Sequence, residues 1–343
     1  MGGTPRVREG GVAAVDGGGP TPEVGPVVRR DRTVADRELA AVVARRFYLE
    51  DATKVAIADE LGISRFKVAR LLEFARDSGI VTITLHDGGV PDERLAERLR
   101  DHLRLRECVV VGSHGPPTEV RRQVGAAAAD LLTGTLSPGD VLGFAWGRTL
   151  SALTEHLSDL PPVTVVQLTG AASGALTDSP IEIVRRASLL AGGKAYAFYL
   201  PLFVRDATTA AALRQQPEVA ATMRMFDEVT VAVVSVGSWV PPDSQVHDMV
   251  PEPERERLLA SGVRADLAGI LLDRDGKTVD EGFIGRSLTV RTEQLGTVPR
   301  VIAAAAGAEK AMAVLAAARS GLISGLVTDR ALAESVLQDD LGS

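Results

Sequence analysis

From Val34 to Leu49 the apolar positions Leu39, Val42, Val43 and Phe47, edged by the long stem of Arg46, recur at helical spacing and predict a first helix. Residues 54–73 read KVAIADELGISRFKVARLLE. Ile57, Leu61, Ile63, Val68 and Leu71 form one apolar set that packs two short helices together. Small Ala58 lets the helices approach, and Gly62 supplies a turn whose left-handed backbone is cheap only without a Cβ. Ser64 is placed to cap the second helix by accepting from a free backbone N–H. Together these segments predict a three-helix head containing a helix-turn-helix. Ser78-Gly79 ends the third helix. Ile80 to Leu85 (IVTITL) alternates like a short strand, the beginning of a wing. Asp87-Gly88-Gly89-Val90-Pro91 then breaks the chain.

Beyond the break, Leu95, Leu99 and Leu103 recur every four residues among charges. They predict an amphipathic linker helix, packed on its own domain or on a partner chain. From Cys108 onward apolar runs alternate with helical stretches such as TEVRRQVGAAAADLL and GAEKAMAVLAAARS. The strand candidates are CVVVG, VLGFA, VTVVQL, AYAFYL, VTVAVVSVG, LAGILL, RVIAAAA and LISGLVT. Continuous apolar runs suit strands buried on both faces, so an α/β domain with a mostly parallel sheet is expected. The expected organisation is a disordered Gly- and Pro-rich tail over 1–33, the winged head over 34–88, a linker helix over 89–106 and the α/β domain over 107–343.

Composition changes this picture mainly through charge. The chain has 343 residues and a formal charge of -7, an unpromising total for a DNA-binding protein. From Arg37 to His86, however, eight basic and seven acidic residues give +1. Residues 1–36 are neutral, so the rest carries -8. A small reader domain on an acidic body fits this division. The single cysteine, Cys108, excludes a disulfide framework and agrees with a cytoplasmic location. No signal peptide or transmembrane span is expected, so no membrane partner is either.

The exposed side of the third helix carries Arg65, Lys67 and Arg70. Cations at a helix start oppose its dipole, which points to a partner for them. Phosphates and base edges of double-stranded operator DNA suit them, with the cap Ser64 alongside. An ordinary helical hairpin with a solvated basic face is the plainer alternative, but the small, turn and apolar positions all fit at once.

In an open α/β sheet ligands bind at the carboxyl ends of strands. The best strand-to-helix loop is Gly143-Phe144-Ala145-Trp146-Gly147-Arg148-Thr149, between a strand at Asp140–Leu142 and a helix at Leu150–Leu157. Free N–H groups at the helix start, the Thr149 hydroxyl and the Arg148 charge are what a phosphate needs. The spacing is not that of a Walker loop. The same rule selects Gly170 after VTVVQ, Gly237 after VTVAVVSV, Asp266 before LAGILL, and Lys310 at a helix start after RVIAAAA. His86, His102, His114, His156 and His247 are scattered and form no metal set. Asp273-Arg274-Asp275-Gly276-Lys277 reads as a β-turn rather than a calcium loop. No cofactor site is expected.

The order of these parts resembles the SorC family of sugar-responsive bacterial transcription regulators from about Val34 to Leu337. The carrying motifs are ELGISRFKVARLLEFARDSGIVTI, GFAWGRTL, SVGS, LLASGVRADLAGILLDRDGKTV and VIAAAAGAEKAMAVLAAARSGLISGLVTD. The resemblance implies a winged helix-turn-helix and an effector domain folded like phosphosugar isomerases, with a Rossmann-like sheet. It also implies a phosphorylated sugar or related effector and assembly as a homotetramer; the chain as a whole reads as an effector-controlled regulator without catalytic activity. On this chain the phosphate loop falls on Gly147, Arg148 and Thr149, and the pocket extends to Gly170, Gly237, Asp266 and Lys310. Two segments depart from the family's pattern. Thr169-Gly170-Ala171 stands where Asn-Gly-Gly is common, and Ala305-Ala306-Gly307 where Ala-Gly-Gly is common. The rival reading is a phosphosugar-isomerase-like enzyme with an accessory DNA-binding head, for which Asp266 is the candidate base.

Overall fold

The computed structural model describes residues 34–81, 89–171, 179–279 and 281–339. The chain divides into two compact units, residues 1–85 and 86–343. The expected tail and most of the expected wing strand lie outside the described residues.

The first unit holds α1 (Val34–Tyr48), α2 (Lys54–Leu61) and α3 (Arg65–Asp77). Both short helices begin on a capped turn. Thr53 Oγ1 accepts from the N–H of Ala56, and Ser64 Oγ accepts from the N–H of Lys67, each at 3.2 Å. Gly62 sits at φ 62°, ψ 31°, and so turns α2 toward α3 without a Cβ penalty. Ala40, Val43, Ala44, Ile57, Ala58, Val68, Leu71, Leu72 and Ala75 form the core. The face that α1 buries is shifted from the expected stripe. Val42 is 46% exposed, while Ala40 and Ala44 are buried, because small side chains let α3 come close. Arg46 pairs instead with Glu50 and Glu60.

Among the described residues the second unit is a seven-stranded parallel sheet with an antiparallel branch. Its strands are β1 (Glu107–Val111), β2 (Val141–Phe144), β3 (Thr164–Gln167), β4 (Ala195–Tyr196), β5 (Val231–Trp239), β6 (Pro242–Asp243), β7 (Ala265–Leu267), β8 (Ile270–Leu272), β9 (Arg300–Ala304) and β10 (Gly325–Asp329). The parallel order is β1-β10-β9-β5-β2-β3-β4, and β6, β7 and β8 branch from β5. The middle strands are apolar throughout because helices cover both faces; Val231 to Val234 are all buried. Each buried Val or Leu contributes about 1.5–3 kcal/mol by leaving water.

The helix α4 (Glu93–Leu103) belongs to this unit. Leu95, Ala96, Leu99 and Leu103 lie in the core of the α/β unit. The other helices of the unit include α5 (Pro117–Thr135), α6 (Arg148–His156) and α7 (Pro180–Ala191). Gly125 of α5 packs so closely on α6 that a Cβ there would lie 2.8 Å from the Ala152 carbonyl carbon.

One apolar run folds differently from its expected single strand. LAGILL is the last residue of β7, the turn and β8 of a hairpin, in which Ala265 pairs with Leu272 and Leu267 with Ile270. Ala268 (φ 53°) and Gly269 (φ 82°) form the two-residue turn. Positive φ at both turn positions suits the twist of a tight hairpin. Among the described residues no helix is long and apolar enough to cross a membrane.

Candidate functional site

The strand order places a crevice where ligands of open α/β sheets bind. From β2 the chain moves outward through β3 to β4, then returns to the other side of β2 as β5 and continues to β9. Crossovers therefore diverge between β2 and β5, and loops at their carboxyl ends leave a gap. A small cleft, partly open to solvent, lies there. Gly147, Arg148, Thr149, Gly237, Asp266 and Lys310 all line it.

The loop after β2 is shorter than expected, because Gly143 and Phe144 remain in the strand, paired with Val166 and Gln167 of β3. Gly147 then takes φ 146°, and a Cβ there would lie 2.5 Å from Ser235 Oγ. That hydroxyl donates to the Trp146 carbonyl at 2.7 Å, tying the loop to β5. No side chain caps α6, so its first N–H groups face the cleft with the positive end of the helix dipole. Thr149 is buried on the first turn.

Two cations meet over one carboxylate. Arg148 donates to Asp243 Oδ1. Lys310, only 8% exposed, donates to the Val236 carbonyl at 2.8 Å and stands 3.3 Å from Asp243 Oδ2. That oxygen is buried and has no well-aligned hydrogen bond, so its pairing with Lys310 is mainly electrostatic. Burial pushes the Lys310 ammonium below its ordinary value, against the pull of Asp243. For Asp243 burial acts upward, but Lys310 and Arg148 outweigh it and hold the carboxyl below its ordinary value.

Asp266 lies inside β7 directly across from Gly237 of β5, rather than in a loop before a strand. A Cβ at Gly237 would lie 2.2 Å from Asp266 Oδ2, so the glycine makes room for the carboxyl. Trp239 Nε1 donates to Oδ2 at 3.0 Å, and Ser244 Oγ also donates to it. The Ser244 hydroxyl itself accepts from the N–H groups of Val246 and His247. Burial pushes the Asp266 carboxyl up, and the Ser244 and Trp239 hydrogen bonds oppose the shift.

Gly170 does not join this cleft. Its N–H donates to the Leu288 carbonyl at 2.7 Å, and a Cβ there would lie 2.3 Å from the Pro201 carbonyl oxygen. Its small size serves backbone packing. Sequence reasoning passed over Arg121, Asp243 and Ser244, which also line the cleft. Arg121 is hidden in an amphipathic helix, and Asp243-Ser244 follows two prolines and reads as an ordinary turn.

In the head, Ser64 caps α3, Arg65 and Arg70 are exposed, and Lys67 is half-buried. Cys108 lies in β1, where burial pushes its thiol up to about 12; at neutral pH it is a protonated, inert side chain.

The Sugar-bind family, a sugar-binding domain, matches residues 91–338. The sorbitol operon regulator of Klebsiella pneumoniae is 29% identical over 310 residues, covering 88% of this chain and 98% of that protein. The transcriptional regulator LsrR of the same species is 29% identical over 317 residues, covering 89% of this chain and 94% of that protein. The crystal structure of the full-length sorbitol operon regulator SorC from Klebsiella pneumoniae superposes with a TM-score of 0.68 at 27% identity, over 89% of this chain and all of that one. The helical head, the parallel sheet with its crevice, and these matches over nearly the whole chain together make it a member of the SorC family: a DNA-binding transcriptional regulator with a sugar-binding domain.

Proposed function

We propose that the cleft between β2 and β5 is the effector site, and that its ligand is a phosphorylated sugar or polyol. The observation that carries this reading is the convergence of Arg148, buried Lys310 and the uncapped start of α6 on one small space. Backbone N–H groups at Arg148 and Thr149, together with the Thr149 hydroxyl, suit phosphate oxygens. Arg148 and Lys310 supply charge, held ready by Asp243 until an anion shares them. Arg121 stands on the rim. Asp243 and Asp266 are the natural acceptors for sugar hydroxyls. The names of two relatives, a sorbitol operon regulator and an erythritol catabolism regulatory protein, agree with a polyol-derived effector.

The head reads operator DNA through Arg65, Lys67 and Arg70, with Ser64 holding the start of α3. The protein works in the cytoplasm as a homotetramer on paired half-sites, and the effector acts by binding the DNA-competent and incompetent arrangements with different affinity. It does not turn its ligand over. Isomerisation needs a base that can take a proton from the substrate. Asp266 has one oxygen occupied by two donors, Trp239 and Ser244, which suits a hydrogen-bonding wall better.

The test is calorimetric titration of wild type and Lys310→Ala with phosphorylated and unphosphorylated forms of sugars found by a thermal-shift screen. Charge-assisted hydrogen bonds contribute about 1.5–3 kcal/mol, so Lys310→Ala should weaken the phosphorylated ligand roughly ten- to a hundredfold. DNA affinity without ligand should stay nearly unchanged. Equal affinity of the wild type for both forms would replace the phosphate with a neutral sugar.

A further inference from the structure

The side of α3 opposite its core contacts carries a residue that the charge pattern does not reveal. Val68, Leu71, Leu72 and Ala75 point into the head. Phe66 and Arg70, four residues apart, share the opposite side. Phe66 is 68% exposed. A single exposed apolar residue is ordinary on a protein surface. This one stands out by position: it is the second residue of the helix, flanked by Arg65 and Lys67 and one turn before Arg70. The Arg65 guanidinium lies over its ring, 5.2 Å from the centroid, which limits the ring's freedom.

Charge along the helix says which part meets DNA. Arg65, Lys67 and Arg70 make its first half basic, while Glu73 and Asp77 outweigh Arg76 in its second. Phosphates attract the start of α3 and are repelled by its end, as in helix-turn-helix docking, where the N-terminal residues of the second helix reach base edges. Phe66 then faces the floor of a major groove. The only apolar group on a base edge there is the thymine C5-methyl. We propose that Phe66 is a specificity-determining residue that reads a thymine methyl in each operator half-site.

The experiment begins with full-length protein selecting duplexes from a random double-stranded pool. Each thymine of the selected site is then replaced by uracil, which removes the methyl and leaves base pairing intact. Burying one methyl changes affinity roughly fourfold. Wild type should therefore lose about fourfold at one thymine per half-site. Phe66→Ala should bind the thymine duplex at least that much more weakly and be indifferent to uracil at the same position. Phe66→Leu, still apolar, should keep the discrimination and guard against a variant that merely folds poorly. The proposal is overturned if wild type is indifferent to uracil at every thymine. It is equally overturned if Phe66→Ala shows the wild-type pattern, or if the selected half-site contains no thymine.

Discussion

Asp266 shows how one buried carboxyl makes the whole unit sensitive to pH. Its folded pKa is raised above the ordinary 3.8, with burial as the largest cause. Between 3.8 and that raised value the folded state holds a proton that the unfolded chain has released. Stability is then fully present below the ordinary pKa and falls as pH rises, with a slope that approaches about 1.4 kcal/mol per pH unit. Asp243 acts in the opposite direction and only at the acid edge, because its folded pKa is lowered and its contribution is complete once the unfolded carboxyl is ionised, above about pH 5. Asp266→Asn should flatten the profile. Urea midpoints from pH 4 to 7 for both proteins check this, and parallel profiles would mean that Asp266 is ionised in the folded state throughout. Gly237, Ser244 and Trp239 are the residues that make such a carboxyl tolerable, by space and by hydrogen bonds.

Among the elements, the contact between α5 and α6 links packing to ligand binding. Gly125 leaves no room for a methyl: a Cβ would meet the Ala152 carbonyl carbon, its Cβ and the Leu153 nitrogen, each at 2.8 Å. Gly125→Ala must push α6 outward, at a cost of about 1–3 kcal/mol. The start of α6 faces the cleft, so ligand affinity should fall together with the thermal midpoint. A variant that loses stability while binding ligand normally would separate the helix start from the site. The elements also show what could be read beforehand. In the head, Ala58, Gly62 and Ser64 act through local geometry within a few residues, and their pattern survives into the structure. The β7–β8 hairpin was hidden because an apolar run looks alike whether the chain goes straight or turns back; only Gly269 within it marks the reversal. Asp266 and Gly237, which read as loop residues in the sequence, are strand partners, because β5 continues past the sheet to pair with β7. Gly170 was drawn into the site by the strand-end rule, although its neighbours are backbone rather than cleft. Asp243 had no signal of its own, since its meaning comes from Arg148 and Lys310, 95 residues before it and 67 after it.

Across the whole molecule, charge is divided between the units. The head is weakly basic and the remainder carries -8, so long-range attraction to DNA has to come from a few side chains. Operator affinity should therefore fall with salt at a slope fixed by the head. Replacing Arg65, Lys67 and Arg70 with alanine should make the plot of log K against log salt shallower by about one for each cation that touches a phosphate. A slope unchanged in the triple variant would put the DNA contacts elsewhere.

The strand order has a further consequence, for how this regulator comes into being. The first strand of the sheet, β1, lies at one edge, and the strand that joins it to the rest of the sheet is β10, which ends at Asp329. Its place stays empty until Gly325–Asp329 has been synthesised, more than 200 residues after β1 itself. The head, by contrast, has its core complete by Ala75 and consists of local contacts that form quickly. Synthesis thus yields a DNA reader long before the sheet that governs it can close. Premature termination before β10 would leave a reader without its sensor, and the last strand serves as the checkpoint that joins the two in one working protein.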